Sequence, residues 1–310
     1  MPQQSPGASL RALMDDHCVM LPGAFNGLVG RAVAHAGFEG TYVSGAAVTA
    51  SFGVPDIGLV TLDGFTNVIH QVAMGSGLPI IADADTGFGE GEMVTRTVFE
   101  YHRAGAAGLH IEDQQFPKRC GHLDGKTLIS KEDFATKVKR AADARDACSN
   151  GEFIICARTD AYGVDGFDAA VDRAKAYVDA GADMIFPEGM KTEEDFGNFA
   201  KALGTYGPKG KTYLLANMTE FGKTPIIPHA RFAELGYSCV IFPVSTLRSA
   251  MGEVTRMLGA LKEEGSVESV LQQMQSRKDL YELLGYTPGV EWTYPDRTQA
   301  PQKKPYPIPE

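Results

Sequence analysis

Three observations predict an α/β chain folded as a (β/α)8 barrel of the TIM type. A helix, glycine, strand junction recurs four times, eight short apolar runs follow one another along the chain, and polar residues gather just after those runs. The junction is clearest where Phe167, Ala170, Val171, Ala174, Tyr177 and Val178 fall on one face of a helix. That pattern meets Ala180-Gly181-Ala182, where glycine can take the left-handed conformation that ends a helix, and Asp183 to Phe186 then reads as a buried strand.

The same junction stands at Gly37 before Gly40 to Val43, at Gly105 before Gly108 to Ile111, and at Gly236 before Cys239 to Phe242. Between these copies lie the apolar runs Val19 to Leu21, Leu78 to Ala82, Phe153 to Ala157 and Thr212 to Ala216, each leading towards a helical pattern. From Val19 to about Lys262 the spacing is roughly 30 residues per strand and helix, the size of a βαβ repeat. Eight such units suit a closed barrel better than an open doubly wound sheet, which has five or six strands. One barrel domain is therefore expected over residues 1–287, with one or two extra helices between Ser266 and Leu284. Pro288 to Glu310 holds six prolines and little apolar periodicity, which predicts an extended or disordered tail.

The composition narrows the partners. Of 310 residues, 44% are hydrophobic and 22% charged, as in ordinary globular proteins, and 29 basic against 39 acidic side chains leave a net charge of −10. That field repels phosphate backbones and anionic lipids, so neither nucleic acid nor a membrane is expected as a partner. Apolar runs are too short to span a bilayer and Met1 to Leu10 lacks a signal pattern, which predicts a cytoplasmic protein. The five cysteines form no C-x-x-C spacing and read as reduced thiols, with Cys18, Cys148 and Cys239 as buried filler and Cys156 packed within a strand.

Three local patterns do not carry the function their motif suggests. Gly87-Phe88-Gly89-Glu90-Gly91-Glu92 has Glu92 where a dinucleotide loop requires its third glycine. Gly204 to Thr212 has one residue too many for a phosphate loop and precedes its strand. Asn217-Met218-Thr219 matches a glycosylation acceptor, which has no use in a cytoplasmic chain.

Active sites of such barrels lie at the carboxyl ends of the strands. There the sequence places Tyr42, Ser44 and Gly45, then Asp83 and Asp85, Glu112 and Asp113, Arg158 and Asp160, Glu188, and Asn217 with Thr219. Any one of these alone reads as a solvated loop residue or a helix cap; together they point to a site. Asp83 and Asp85 are two apart, which puts both on one side of an extended strand end, with Glu112 available from the neighbouring strand. Clustered carboxylates need protons or a cation, and an oxygen-only donor set favours Mg²⁺, or Mn²⁺, over softer metals. Arg158 offers a two-pronged donor to a substrate carboxylate, unless it is spent on Glu188 or Asp160. Ser44, the backbone of Gly45, Asn217 and Thr219 can complete a carboxylate pocket with neutral donors.

The sharpest feature is the loop Lys118-Arg119-Cys120-Gly121-His122. A thiol among cations and an imidazole has a stabilised thiolate, and Gly121 and Gly125 would let the loop act as a lid that carries Cys120 over the metal site. The plainer reading is a surface loop with an incidental cysteine.

With Asp83-Ala84-Asp85, Glu112-Asp113-Gln114 and this loop, the sequence resembles the isocitrate lyase and phosphoenolpyruvate mutase superfamily from about Leu10 to Tyr286. Ala157 to Asp160, Phe186 to Glu188 and Leu215 to Gly222 extend the resemblance. It implies a Mg²⁺-dependent lyase that splits 2-methylisocitrate into pyruvate and succinate in the methylcitrate route of propionate catabolism. It also implies a homotetramer in which the barrel's eighth helix is exchanged between neighbours. By the same resemblance Asp83 and Asp85 hold the metal, with Glu112 and Asp56 supporting them, and Cys120 is the catalytic acid. Tyr42, Ser44, Gly45, Arg158, Glu188 and Asn217 match substrate-binding positions. We add Thr219, Arg119 and Gly121 to the substrate set, and Tyr42 (as candidate base), Lys118 and His122 to the catalytic set.

Two departures bear on the substrate. The family's lyases carry Ser-Gly-Gly after the second strand, where this chain has Ser44-Gly45-Ala46, and the eighth strand ends in Phe242-Pro243-Val244-Ser245-Thr246. An altered pocket would suit 2,3-dimethylmalate, isocitrate or oxaloacetate, since one methyl group changes discrimination by only about 1–3 kcal/mol. Phosphorus–carbon chemistry on a phosphonate has no use for a thiol acid. A barrel kept as a binding scaffold would have no need of the metal and acid positions.

Overall fold

A computed structural model describes residues 4–118, 125–208, 210–222 and 224–293. Arg119, Cys120, Gly121 and His122, and most of the proline-rich tail, lie outside the described residues. The eight expected strands are all present: β1 Val19–Pro22, β2 Thr41–Val43, β3 Ile80–Asp83, β4 Gly108–Glu112, β5 Ile154–Thr159, β6 Met184–Pro187, β7 Tyr213–Asn217 and β8 Cys239–Phe242. Each pairs in parallel with the next in the order β1-β8-β7-β6-β5-β4-β3-β2. A parallel bridge between Gly23 and Tyr42 and the bond from the Ala24 amide to the Tyr42 carbonyl (2.8 Å) draw β1 and β2 together, nearly closing the barrel.

Alternation along the strands sorts their side chains into two cores. Leu21, Ile81, Ile154, Cys156, Met184, Leu215, Cys239 and Ile241 fill the barrel interior, whereas Val43, Ala82, Leu109, Ile111, Ile155, Ile185 and Val240 pack outward against the helices. The helix α1 (Pro6–Asp16) plugs the bottom: its Leu10 and Met14 join the interior core. Arg11 fastens it to the carbonyls of Gly151, Glu152 and Phe153 at 3.0–3.2 Å.

The outer layer comprises α2 (Gly27–His35), α3 (Gly45–Ser51), α4 (Leu62–Ser76), α5 (Glu92–Ala104), α6 (Lys131–Ser149), α7 (Ala161–Val164), α8 (Phe167–Asp179), α9 (Glu193–Leu203) and α10 (His229–Glu234). The four junction glycines, Gly37, Gly105, Gly181 and Gly236, all take positive φ after α2, α5, α8 and α10, as expected. The eighth repeat differs from the rest. Its helix α11 (Ser245–Glu264) buries no residue and leaves Met251, Val254, Leu258 and Leu261 exposed. A 3-10 turn at Glu268–Gln273 and α12 (Arg277–Leu284) follow, and α12 returns to α2, where Arg31 donates to the Leu283 carbonyl at 3.0 Å.

Cys18, Cys156 and Cys239 are buried, and burial pushes the Cys18 thiol up to about 12. Cys148 is only half-buried: it sits near the C-terminus of α6, and its thiol reaches the Arg145 carbonyl at 3.7 Å.

Candidate active site

The carboxyl ends of the strands enclose a cleft of about 100 Å³ whose walls include Tyr42, Ser44, Asp56, Asp83, Lys118 and Arg158. Glu188, Asn217 and Thr219 line it as well, as do Ala46, Pro243 and Val244. A larger cavity of about 470 Å³, lined by Val60, Leu62, Phe88, Met93 and Phe116, lies beside the loop after β3 and is mostly apolar. Buried charge converges on the smaller cleft, so that is where chemistry is placed.

Strand register assembles the polar residues. Pairing of β3 with β4 sets Asp83 beside His110, and pairing of β4 with β5 sets Glu112 beside Arg158, with 3.2 Å between Nη1 and Oε2. Arg158 in turn lies over the ring of its β6 neighbour Phe186, 5.2 Å from the centroid. Asp160 holds the guanidinium from one edge, accepting from Nε at 3.0 Å and from Nη2 at 3.2 Å, and Lys126 pairs with Asp160 at 2.9 Å. Arg158 is thus paired with Asp160, and that pairing fixes its orientation in the cleft wall.

Asp83 and Asp85 converge, but not through an extended backbone. The strand β3 ends at Asp83, and Asp85 stands in a left-handed turn with φ 47°. The turn brings the Asp85 amide to Asp83 Oδ1 at 2.9 Å, while the Gly45 amide donates to Asp83 Oδ2 at 3.1 Å. Lys118 lies between Asp56 (2.5 Å) and Asp85 (2.8 Å). Burial pushes the carboxyls of Asp85 and Glu112 up, Asp85 to about 6, against the pull of Lys118 and Arg158. Neither oxygen of Glu112 accepts a hydrogen bond among the described residues.

Four carboxylates, Asp56, Asp83, Asp85 and Glu112, therefore face two cations, Lys118 and Arg158. Among the described residues no three His, Cys, Asp or Glu side chains stand at ligating distance of a common point. The donor chemistry, buried oxygen with an excess of negative charge, nonetheless fits a hard divalent cation.

Other residues take plainer roles. Asp113 turns outward, away from Glu112, and accepts from Thr159 Oγ1 (2.7 Å), Tyr177 Oη (2.8 Å) and the Asp160 amide (3.0 Å), which makes it a brace between the sheet and α8. Ser44 caps α3, accepting from the Ala47 amide at 3.4 Å, and Asn217 donates to Glu188 Oε2 at 3.2 Å.

Sequence reasoning passed over two residues. Arg248, in the first turns of α11, reaches the cleft and lies 3.6 Å from Glu220, yet an arginine on a helix carries no local signal of that placement. His110 is fully buried inside the barrel with Nε2 2.7 Å from Tyr42 Oη, and burial pushes its imidazole down to about 4. Strand alternation offered a signal for it, because His110 shares the inward parity of Glu112.

The family model for phosphoenolpyruvate phosphomutase matches residues 10–262. A probable 2-methylisocitrate lyase 1 of Corynebacterium glutamicum is 50% identical over 275 residues, covering 89% of this chain and 87% of the relative. The 2-methylisocitrate lyase of Aeropyrum pernix is 46% identical over 289 residues, covering 92% and 89%. The crystal structure of a 2,3-dimethylmalate lyase, a PEP mutase/isocitrate lyase superfamily member, is similar with a TM-score of 0.84 at 35% identity, covering 92% of this chain and 93% of that one. With sequence and barrel matched over nearly their whole lengths, this chain belongs to the phosphoenolpyruvate phosphomutase family, within the PEP mutase/isocitrate lyase superfamily.

Proposed function

We propose that the protein is a carbon–carbon lyase that cleaves 2-methylisocitrate to pyruvate and succinate in cytoplasmic propionate catabolism. The observation that carries this reading is the cleft, where buried carboxylates suited to a cation face the cationic groups Lys118, Arg158 and Arg248 suited to a polycarboxylate. Relatives bearing that enzyme's name at 46–50% identity support it.

Asp83 and Asp85 are the residues we assign to Mg²⁺ or Mn²⁺, with Glu112 and Asp56 beside them. A cation held by these residues would supply stabilisation of the charge that develops on the oxygen of the keto-acid product. Arg158, Arg248, Asn217 and Thr219 orient the substrate carboxylates, and Ser44 and Gly45 line the same wall. In the cleavage a base takes the proton of the substrate hydroxyl. The electron pair of that O–H bond forms the new carbonyl, and the pair of the broken carbon–carbon bond passes to the succinate carbon. Tyr42 is our candidate base; burial, reinforced by Asp83, pushes its phenol well above the usual range, so it serves only with a cation beside it. Cys120 returns a proton to the succinate carbanion, with Arg119, Gly121 and His122 completing its loop.

A homotetramer completes the proposal. The exposed stripe Met251, Val254 and Leu258 of α11 is suited to burial against a second copy. Ala46 in the cleft wall and the likeness to a 2,3-dimethylmalate lyase favour that diacid as the second reading. The test is an assay of the purified protein on 2-methylisocitrate, isocitrate, 2,3-dimethylmalate and oxaloacetate, with and without EDTA. Preferred, EDTA-sensitive release of pyruvate from 2-methylisocitrate is expected; turnover of another acid without it overturns the proposal.

A further inference from the structure

Lys137 is a buried lysine of α6 that the chemistry above does not use, and its polar contacts among the described residues both fall on the loop after β3 that carries Asp85. Its Nζ donates to the Thr86 carbonyl at 3.3 Å and pairs with Glu90 at 2.7 Å, so one side chain spans Gly87, Phe88 and Gly89. The backbone of this glycine-rich stretch is unusual: Asp85, Gly87, Phe88 and Gly89 take φ of 47°, 97°, 59° and 149°. For a bulky residue such as Phe88 that conformation is costly, and it persists only where the surroundings hold it. They do so through the carbonyls. Tyr101 Oη donates to the Asp83 carbonyl at 2.7 Å, the Glu112 amide to that of Asp85 at 2.9 Å, and Thr97 Oγ1 to that of Gly87 at 3.1 Å. Those donors are neutral, whereas the buried Thr86 carbonyl is held by a charged one. A buried carbonyl that loses its donor is left unsatisfied, and a turn relieves that by moving.

We infer that Lys137 is a positioning residue: by holding the Thr86 carbonyl it keeps Asp85 in the left-handed turn that sets its carboxylate beside Asp83, and so governs how tightly the site takes a divalent cation. The inference rests on the assignment of Asp83 and Asp85 to that cation. Lys137 itself lines no part of the cleft. Of its two contacts the carbonyl is the one that matters, because Glu90 is 80% exposed and an ion pair there contributes little. The charge of Lys137 sharpens the test. A positive charge near a cation site repels the cation, so loss of charge alone tightens binding, whereas loss of the turn geometry weakens it. The sign of the change separates the two.

The test is a titration of Mn²⁺ into the full-length protein without substrate, with free Mn²⁺ read by electron paramagnetic resonance. Lys137→Met is expected to weaken binding about tenfold, the scale on which the outer partners of a ligating carboxylate act. Lys137→Arg, which keeps a charged donor, should recover most of that, and Glu90→Gln should change binding by less than about twofold. In turnover of 2-methylisocitrate by Lys137→Met, the Mg²⁺ concentration for half-maximal rate should rise while kcat at saturating Mg²⁺ changes little. Binding by Lys137→Met as tight as the wild type's, or tighter, whatever its melting temperature, would mean that the lysine serves only stability, and overturns the inference. A loss in Glu90→Gln as large as that in Lys137→Met overturns the route through the carbonyl. Should Lys137→Met fail to fold, Lys137→Gln, whose amide is too short to reach the carbonyl, takes its place with the same outcomes. A wild-type protein that binds no Mn²⁺ defeats the cation assignment and the inference with it, whereas Mn²⁺ binding without turnover of 2-methylisocitrate defeats only the lyase reading.

Discussion

The Gly45 amide donates to Asp83 Oδ2 at 3.1 Å, and a Cβ added to Gly45 would stand 2.5 Å from that same oxygen. Only glycine lets the start of α3 approach the carboxylate this closely. Gly45→Ala is expected to displace Asp83 and to lower kcat/KM by about 10²-fold, the cost of misplacing a reacting group by roughly an ångström. Thermal melting should show the variant folded; wild-type turnover in that variant would refute the role given to this contact.

Arg158 owes its orientation to the two bonds it makes to Asp160. Lysine cannot reproduce that fork. Arg158→Lys is expected to reduce kcat/KM by about 10–10²-fold, mostly through KM, as a charged hydrogen bond worth about 1.5–3 kcal/mol is lost. Steady-state kinetics separates this outcome from a uniform fall in kcat.

Asp113 differs in kind from its neighbour Glu112. It braces Thr159, Tyr177 and Arg173 from outside the barrel, with Arg173 at 3.3 Å. Asp113→Ala leaves those groups buried without their acceptor and should cost about 3–5 kcal/mol of stability. Urea unfolding should show a lower midpoint with little change in slope; an unchanged midpoint would refute the bracing role of Asp113.

Cys120→Ala is expected to lower turnover by about 10²–10⁴-fold, the range for loss of a general acid. Calorimetry should find cation binding intact. Pyruvate release close to that of the wild type would remove the thiol from the mechanism.

Metal removal offers an independent check on the carboxylate cluster. EDTA should abolish activity and added Mg²⁺ or Mn²⁺ restore it, while Asp83→Asn should raise the cation concentration needed by about tenfold or more, the scale of one lost charged contact. Full activity in EDTA would leave the four carboxylates without a cation to hold.

Much of this molecule is legible in its sequence. A buried parallel strand must be a short apolar run, and a helix that turns back to it commonly ends at a left-handed glycine, so Gly105, Gly181 and Gly236 with the runs after them locate β4, β6 and β8 to within a residue or two. Because every strand runs the same way, the polar residues that follow the runs arrive at one rim, and Asp83, Arg158, Glu188 and Asn217 meet there as expected.

Which way each side chain faces is a property of the closed sheet. Glu112 and Asp113 are adjacent acids in the chain, yet one enters the barrel with Arg158 and the other leaves it to hold Tyr177. Asp85 reaches the site through a turn that breaks the extended backbone, Lys118 is drawn between two carboxylates from different loops, and His110 gains Tyr42 from two strands away. The order of elements is written locally, in apolar period and glycine. Contacts between distant strands depend on register and closure, and the low dielectric that gives those contacts their force exists only once the barrel has formed.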